Sequence, residues 1–430
     1  MSLGKLTVNG REDGFLCDGK PFFWFADTCW SAFTSNHRGG LGLLSDPPRR
    51  AGHERAAGQY PAAVGPLPAD LGIWPYASED GVHFDWSAPN QEYWDRARRM
   101  CQAAVEHGIR PALVLMWCNY VPGTWGAKIA ERCGAEVMPR EEVRAHVARV
   151  VENLGEFDPV YVVTGDTDFA GDEAIVYYED ALDEVVKRAP EALRTMHINR
   201  GNRTIPAQYL GRLDFYMFQP GHNYEGQPEA WRLPQDFIAN YPKKPMVNSE
   251  PCYEQMGASR NVYWRFTAQD CRASVWSSIL AGASAGVTYG AHGVWNWQTS
   301  RSQGSVLGEG FDMPFRWQEC LQFAGVWDFG AIEHVLASLG ATAGDDALAV
   351  VPAQELLDDA REAIRVARVG DRVSRTCRAP RRSSLSSTAR VAGRRRSSTW
   401  RTSASQNCPS VTTVTAPCAW RSIPLSTTLW

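Results

Sequence analysis

No stretch of the 430-residue chain approaches the roughly 20 consecutive apolar residues that a membrane-spanning helix needs. Met1 to Glu12 contains no basic segment followed by an apolar run, so it does not read as a signal peptide. The expected location is the cytoplasm, or outside the cell if that end was trimmed. The eleven cysteines are odd in number and show neither CxxC nor Cys/His ligand spacing, which argues for reduced, buried thiols. HxH and HExxH are missing too, and Asp166-Thr167-Asp168 with Asp172 lacks the Gly and Glu of a calcium loop, so no metal site is expected. A net charge of -4 gives no reason to expect nucleic acid or a membrane surface as partner. No Gly-rich phosphate loop follows the first apolar segment, and no cofactor is implied.

What is present is a strand–helix alternation with apolar strand candidates, the pattern of parallel βαβ units. Pro21–Cys29 reads as a first strand, Arg110–Trp117 as a buried one, and Asn90–His107 between them as a helix closed by Gly108. Glu141–Leu154 is an amphipathic helix with Val143, Val147, Val150, Val151 and Leu154 on one stripe. Strands follow at Val160–Thr164, Leu193–Asn199, Leu213–Gln219 and Pro245–Asn248. Helices are expected at Glu173–Arg188 and Asn261–Ala283, and the last strand and its loop at Gly286–Trp297. Seven candidates suit an eight-stranded barrel better than a doubly wound open sheet without its nucleotide loop, and the eighth should lie between Cys29 and Leu71.

Two stretches lack globular character. His37–Ala69 is dominated by Gly, Pro, Ala and Arg without period, and Val373–Trp430 has no Asp, Glu or Lys, while Ser, Thr and Arg fill 31 of its 58 positions. A loop and a disordered tail are one explanation. The preferred one is translation in a shifted reading frame, with ordinary sequence resuming at Asp70–Tyr76. The resulting expectation is an α/β fold: a (β/α)₈ TIM barrel over residues 1–335 with a disrupted second strand. The start of a small β domain would follow over 336–372, with the rest truncated or disordered.

Residues at the C-terminal ends of parallel barrel strands converge on one face. Asp166 ends the fourth strand and Glu250 the seventh, across the barrel mouth from each other. Two such carboxylates suit glycosidic bond cleavage, one as acid and one as nucleophile or base. Around them the strand ends carry Asp27, Trp30, Trp117, Asn119, His197, Asn199, Gln219, His222, Tyr253, Glu254, His292, Trp295 and Trp297. Polar groups mixed with flat aromatic faces suit a hydroxyl-dense ligand. The competing explanation for each is a satisfied core residue, and the 17 tryptophans as a set supply buried area first.

At FADTCW, Asn90–Trp117, VVTGD, NSEPCYE and YGAHGVWNW the chain resembles the apiosidase-like glycoside hydrolases, over roughly residues 5–36 and 70–335. These are barrel proteins often followed by a small β domain labelled collagen-binding. The resemblance implies a retaining mechanism with its Asp and Glu at Asp166 and Glu250, and activity on plant or bacterial glycans, including the branched pentose apiose of pectin. Residues 37–69 do not match the family. A non-catalytic glycan-binding barrel and an inactive frameshift product are the alternatives.

Overall fold

The computed structural model describes residues 3–35, 73–132, 134–258, 264–299, 313–341, 344–345, 348–356 and 364–376, together with the backbone of Ala57–Gln59 and Val411–Thr413. The chain begins with a three-stranded antiparallel meander, Leu6–Val8, Phe15–Cys17 and Lys20–Phe22. Its second turn places Asp18 and Gly19 at positive φ, as a tight hairpin of matching twist requires.

Eight parallel strands form the central sheet: β1 (Trp24–Thr28), β2 (Ala57–Gln59), β3 (Ala112–Trp117), β4 (Val160–Gly165), β5 (Arg194–Thr195), β6 (Tyr216–Phe218), β7 (Met246–Asn248) and β8 (Gly286–Tyr289). Their order is β5-β4-β3-β2-β1-β8-β7-β6, so chain order is followed throughout and β8 lies beside β1. The Asp214 N–H donates to Arg194 O (2.9 Å) and Thr195 Oγ1 to Phe215 O (2.7 Å), which ties the outermost strands to each other.

Strand alternation sorts the side chains onto two faces. Trp24, Ala26, Ala112, Val114, Val160, Val162, Phe215, Met217 and Val247 share one cluster with Leu6, Phe15 and Phe22 of the meander. Phe15 packs edge-on against Phe215 and tilted against Trp24. The meander therefore covers the ends where the strands begin. Phe25, Leu113, Leu115, Tyr161, Val163, Tyr216, Phe218 and Val287 face the other way, into the layer beneath the helices.

The principal helices are α1 (Gln91–Glu106), α2 (Arg140–Leu154), α3 (Asp172–Arg188), α4 (Glu229–Asn240) and α5 (Ala268–Leu280). The Asn90 side chain accepts the Glu92 N–H at the start of α1, and Gly108 follows its end at positive φ. Three elements differ from expectation. The apolar run Pro21–Cys29 is broken at Phe23, its first part going to the meander and its second to β1. Ladder pairing of the fifth strand stops at Thr195, with one further bridge from Ile198 to Thr167. The helix expected from Asn261 begins at Ala268, because Thr267 and Asp270 form a reciprocal capping box there; residues 261–263 lie outside the described residues.

The position of the missing strand is filled: Ala57–Gln59 pairs with Ala26–Thr28 on one side and with Ala112 on the other. The remainder of 37–69 lies outside the described residues, as does most of 373–430. A four-stranded sheet follows the helix Ile332–Ser338, from Val351–Pro352 through Val366–Val369 and Arg372–Arg375 to Val411–Thr413. Among the described residues no helix is long and apolar enough to cross a membrane, and no cluster of His, Cys, Asp or Glu could hold a metal ion. The seven described cysteines, including Cys29, Cys252 and Cys271, are buried free thiols.

Candidate active site

β4 ends in Gly165, over which the Trp117 indole lies so closely that a Cβ there would sit 2.2 Å from the ring. Glycine lets the chain run under that ring and turn. The next residue, Asp166, has φ +54°, a left-handed conformation that Asp tolerates better than most side chains. Both of its backbone polar groups are caught by side chains. The Trp125 indole N–H donates to Asp166 O (2.7 Å), and the Asp166 N–H donates to His197 Nδ1 (3.2 Å). The carboxylate accepts the Gln219 amide through Oδ1 (2.5 Å), and Gln219 also donates to Ile198 O (3.0 Å). Aspartate is thus held at a strand end in a conformation the surroundings over-determine.

Glu250 follows β7 and is buried. His222 Nε2 stands 2.7 Å from its Oε1, and His197 Nε2 stands 3.2 Å from its Oε2, at an angle short of a straight hydrogen bond. The tautomers follow from the other ring nitrogens. His222 Nδ1 accepts the Tyr253 N–H (3.3 Å) and His197 Nδ1 that of Asp166, so in each neutral ring the proton sits on Nε2, facing Glu250. Burial pushes the Glu250 carboxyl up, but His197 and His222 outweigh it and hold it down at about 2. Burial, then the Glu250 charge, push the Tyr253 hydroxyl well above its ordinary range.

An aromatic wall adjoins these groups. Trp30 donates its indole N–H to Tyr253 Oη (3.0 Å), meets Trp117 edge-on at 5.0 Å and lies 5.3 Å from the His197 ring. Trp117 stacks on His197 at 6.4 Å, and the Tyr253 ring sits 4.1 Å from that of His222. A half-buried Trp295 packs against the same inward-facing cluster. Asp166, Glu250, His197, Gln219, Tyr253, Trp30, Trp117 and Trp295 thus share one end of the sheet, opposite the meander.

Of the other expected ligand contacts, Asp27 and Trp297 turn away from these groups, while Asn119 and His292 are engaged by neighbouring side chains. Asp27 lies on the Phe25 face of β1, in register with Tyr289, so it points into the sheet–helix layer; burial pushes its carboxyl up to about 7 against the Thr28 N–H. Trp297 is 1% exposed and stacks on Trp317 at 4.9 Å, in the core. Asn119 is buried, its side-chain oxygen accepting from the Cys118 thiol and abutting Gly126. His292 is fully buried and holds Trp295 by accepting its indole N–H at Nδ1 (3.1 Å). Glu254 also faces away: its Oε2 accepts the Tyr289 hydroxyl (2.6 Å) and the Gly325 N–H (2.8 Å). Asn199 joins the Asp166 loop through its backbone, donating to Thr167 O (2.7 Å).

The sequence reading missed Trp125, whose grip on the Asp166 carbonyl depends on the Trp125–Arg132 helix after β3 folding over β4. It placed His222 only among sugar-compatible groups. Its position right after β6, the neighbour of β7, was the signal that it could reach Glu250. The assembled groups are an ionised, hydrogen-bonded carboxylate and a second carboxylate held by an amide, beside an aromatic wall. They can present a nucleophile to an electrophilic carbon and a proton carrier to a leaving oxygen.

The family model described as apiosidase-like, catalytic domain matches residues 12–342. No curated protein matches the chain. Among solved structures, a glycoside hydrolase family 5 protein from Bacteroides vulgatus is similar at 20% identity, covering 85% of this chain and 78% of its own, with a TM-score of 0.65. A structure titled glycoside hydrolase is similar at 20% identity, 85% and 82% coverage and TM-score 0.65. A family 5 mannosidase from Rhizomucor miehei is similar at 13% identity, 78% and 98% coverage and TM-score 0.51. At these identities the structures speak for a shared fold.

Proposed function

Because the chain belongs to the apiosidase-like family of glycoside hydrolases, we propose that it cleaves O-glycosidic bonds of plant or bacterial glycans with retention of configuration. Glu250 is the nucleophile and Asp166 the acid and base. The central sheet is then a (β/α)₈ barrel whose substrate enters from the strand ends. The reading rests above all on Glu250, a buried carboxylate that His222 and His197 hold ionised.

In the first step Asp166 gives its proton to the glycosidic oxygen while a Glu250 oxygen attacks the anomeric carbon. The carbon–oxygen bond breaks, the aglycone leaves as an alcohol, and a glycosyl ester forms on Glu250. In the second step Asp166, now a carboxylate, takes a proton from water. The resulting hydroxyl attacks the same carbon and Glu250 leaves as a carboxylate. Gln219, bonded to Asp166 Oδ1, orients the carboxyl group that carries the transferred proton. Trp30, Trp117 and Trp295 supply the apolar wall against which a sugar ring rests. Apiosides are the first substrates to try, given the family.

The test is the anomeric configuration of the first-formed product, followed by proton NMR during hydrolysis of an aryl apioside. Retention, together with a mass increase of one glycosyl unit on the peptide carrying Glu250 after treatment with an activated fluoroglycoside, supports the reading. Inversion removes Glu250 as nucleophile.

A further inference from the structure

Eight large apolar side chains are exposed among the described residues, and three of them lie together: Tyr224 at 54%, Trp264 at 44% and Met313 at 47%. The Tyr224 and Trp264 rings are 6.4 Å apart and inclined at 56°. Backbone bonds fix the pair. The Tyr224 N–H donates to Ala258 O (3.3 Å) and the Ala258 N–H to Trp264 O (2.9 Å), while Arg265 reaches the Met313 carbonyl (3.0 Å). Tyr224 is two residues beyond His222, which touches Glu250, so at no more than about 3.6 Å per residue its Cα lies within roughly 7 Å of that of His222. The patch therefore sits at the rim of the strand-end site, on the segments after β6, β7 and β8.

Large rings left this exposed forgo the stabilisation that burial would bring, roughly 25 cal/mol for each Å². Three side chains are also far short of the roughly 800 Å² per partner of a stable protein interface. Two inclined, exposed rings instead suit the C–H faces of a sugar. We propose that Tyr224 and Trp264 form a sugar-binding platform outside the reacting pair, taking a residue of an oligo- or polysaccharide that extends beyond the bond cleaved. The inference rests on the glycosidase reading of the adjacent site and narrows its substrate to chains rather than small glycosides.

The test is native affinity electrophoresis through gels containing soluble pectin, with kinetics on an aryl apioside in parallel. The Tyr224→Ala/Trp264→Ala double variant should lose retardation by pectin at least fivefold, while its kcat/KM on the aryl apioside stays within about twofold of wild type. Trp264→Phe, which keeps a ring, should retain most of the retardation. Equal migration of wild type and double variant, whether both are retarded or neither is, overturns the platform. So does a wild-type dimer in sedimentation that the double variant dissolves, which would assign the patch to a second copy of the chain. Failure of the glycosidase reading shows differently: Asp166→Asn and Glu250→Gln would then match wild type on the aryl apioside, whatever the gels give.

Discussion

His222 presents Nε2 to Oε1 of Glu250 at 2.7 Å while its Nδ1 accepts the N–H of Tyr253, three residues beyond that glutamate. One imidazole therefore fixes both the carboxylate and the backbone that carries it. His197 repeats the arrangement, with Nδ1 on the Asp166 N–H and Nε2 toward Glu250. His197 thus joins the loop after β4 to the loop after β7, while His222 braces the loop after β7 from β6.

Removing the donor should expose the cost of burying Glu250. Its folded pKa of about 2 lies below the ordinary 4.5, so its stabilisation is present above about pH 4.5 and lost as pH falls toward 2. His222→Phe leaves burial opposed by one imidazole only, and the Glu250 pKa rises. The acid limb of kcat/KM should move up by on the order of one pH unit. His222→Gln, which restores an N–H donor, should move it less. A limb unmoved in His222→Phe would mean that Glu250 does not set it.

Glu250→Gln and Asp166→Asn preserve shape while removing charge and proton carrier. Each should lower kcat on an aryl glycoside by about 10²–10⁴-fold or more, with circular dichroism unchanged. Azide should restore turnover in Asp166→Ala, because a charged nucleophile attacks the glycosyl ester without a general base. A variant keeping most of its activity removes that residue from its role.

The strands, the helices and the two acids were legible because strand ends and helical stripes leave a periodic trace. VVTGD and NSEP each end an apolar run in an acid, and the fold does bring Asp166 and Glu250 to one end of the sheet. Strand polarity was harder to read. FADTCW contains both Asp27 and Trp30, and only the phase of β1 decides that Asp27 follows Phe25 outward while Trp30 faces the site. The break at Phe23 that sets this phase follows from the meander folding back at Asp18-Gly19, a hairpin signal hidden beside a long apolar run. Trp125 was invisible for a different reason, since its partner carbonyl lies 41 residues away.

Gly165→Ala tests how tightly the Asp166 turn is built. The added methyl meets the Trp117 ring, which already packs against Trp30 and His197. Overpacking of this kind costs about 1–3 kcal/mol. The variant should fold with a lowered Tm and lose at least tenfold in kcat as Asp166 shifts. Wild-type kinetics would show that the turn has slack.

Asp27→Asn should stabilise the protein only at high pH. Burial raises the Asp27 pKa from 3.8 to about 7, so between those values the folded state holds a proton that the unfolded chain releases. Stability from this group therefore falls as pH rises through that window and levels off above about pH 7. Asn keeps the acceptor for the Thr28 N–H and never ionises. A Tm several degrees above wild type at pH 8, and no difference at pH 4, is expected by differential scanning fluorimetry. An equal shift at both pH values would point to packing instead.

Trp295 and Trp297 are two residues apart and should behave oppositely. Trp297 is fully buried, stacked on Trp317 in the layer beneath the helices, and truncation there opens a large cavity. Trp297→Ala should cost about 3–5 kcal/mol, read as a marked drop in Tm, with activity lost only as the protein unfolds. Trp295 is half-buried at the strand ends, its indole held by His292. Trp295→Ala should leave Tm within a few degrees and raise KM on the aryl glycoside, because what it removes is a wall for the substrate. If Trp295→Ala destabilised as severely as Trp297→Ala with KM unchanged, Trp295 would belong to the core and the sugar wall would reduce to Trp30 and Trp117.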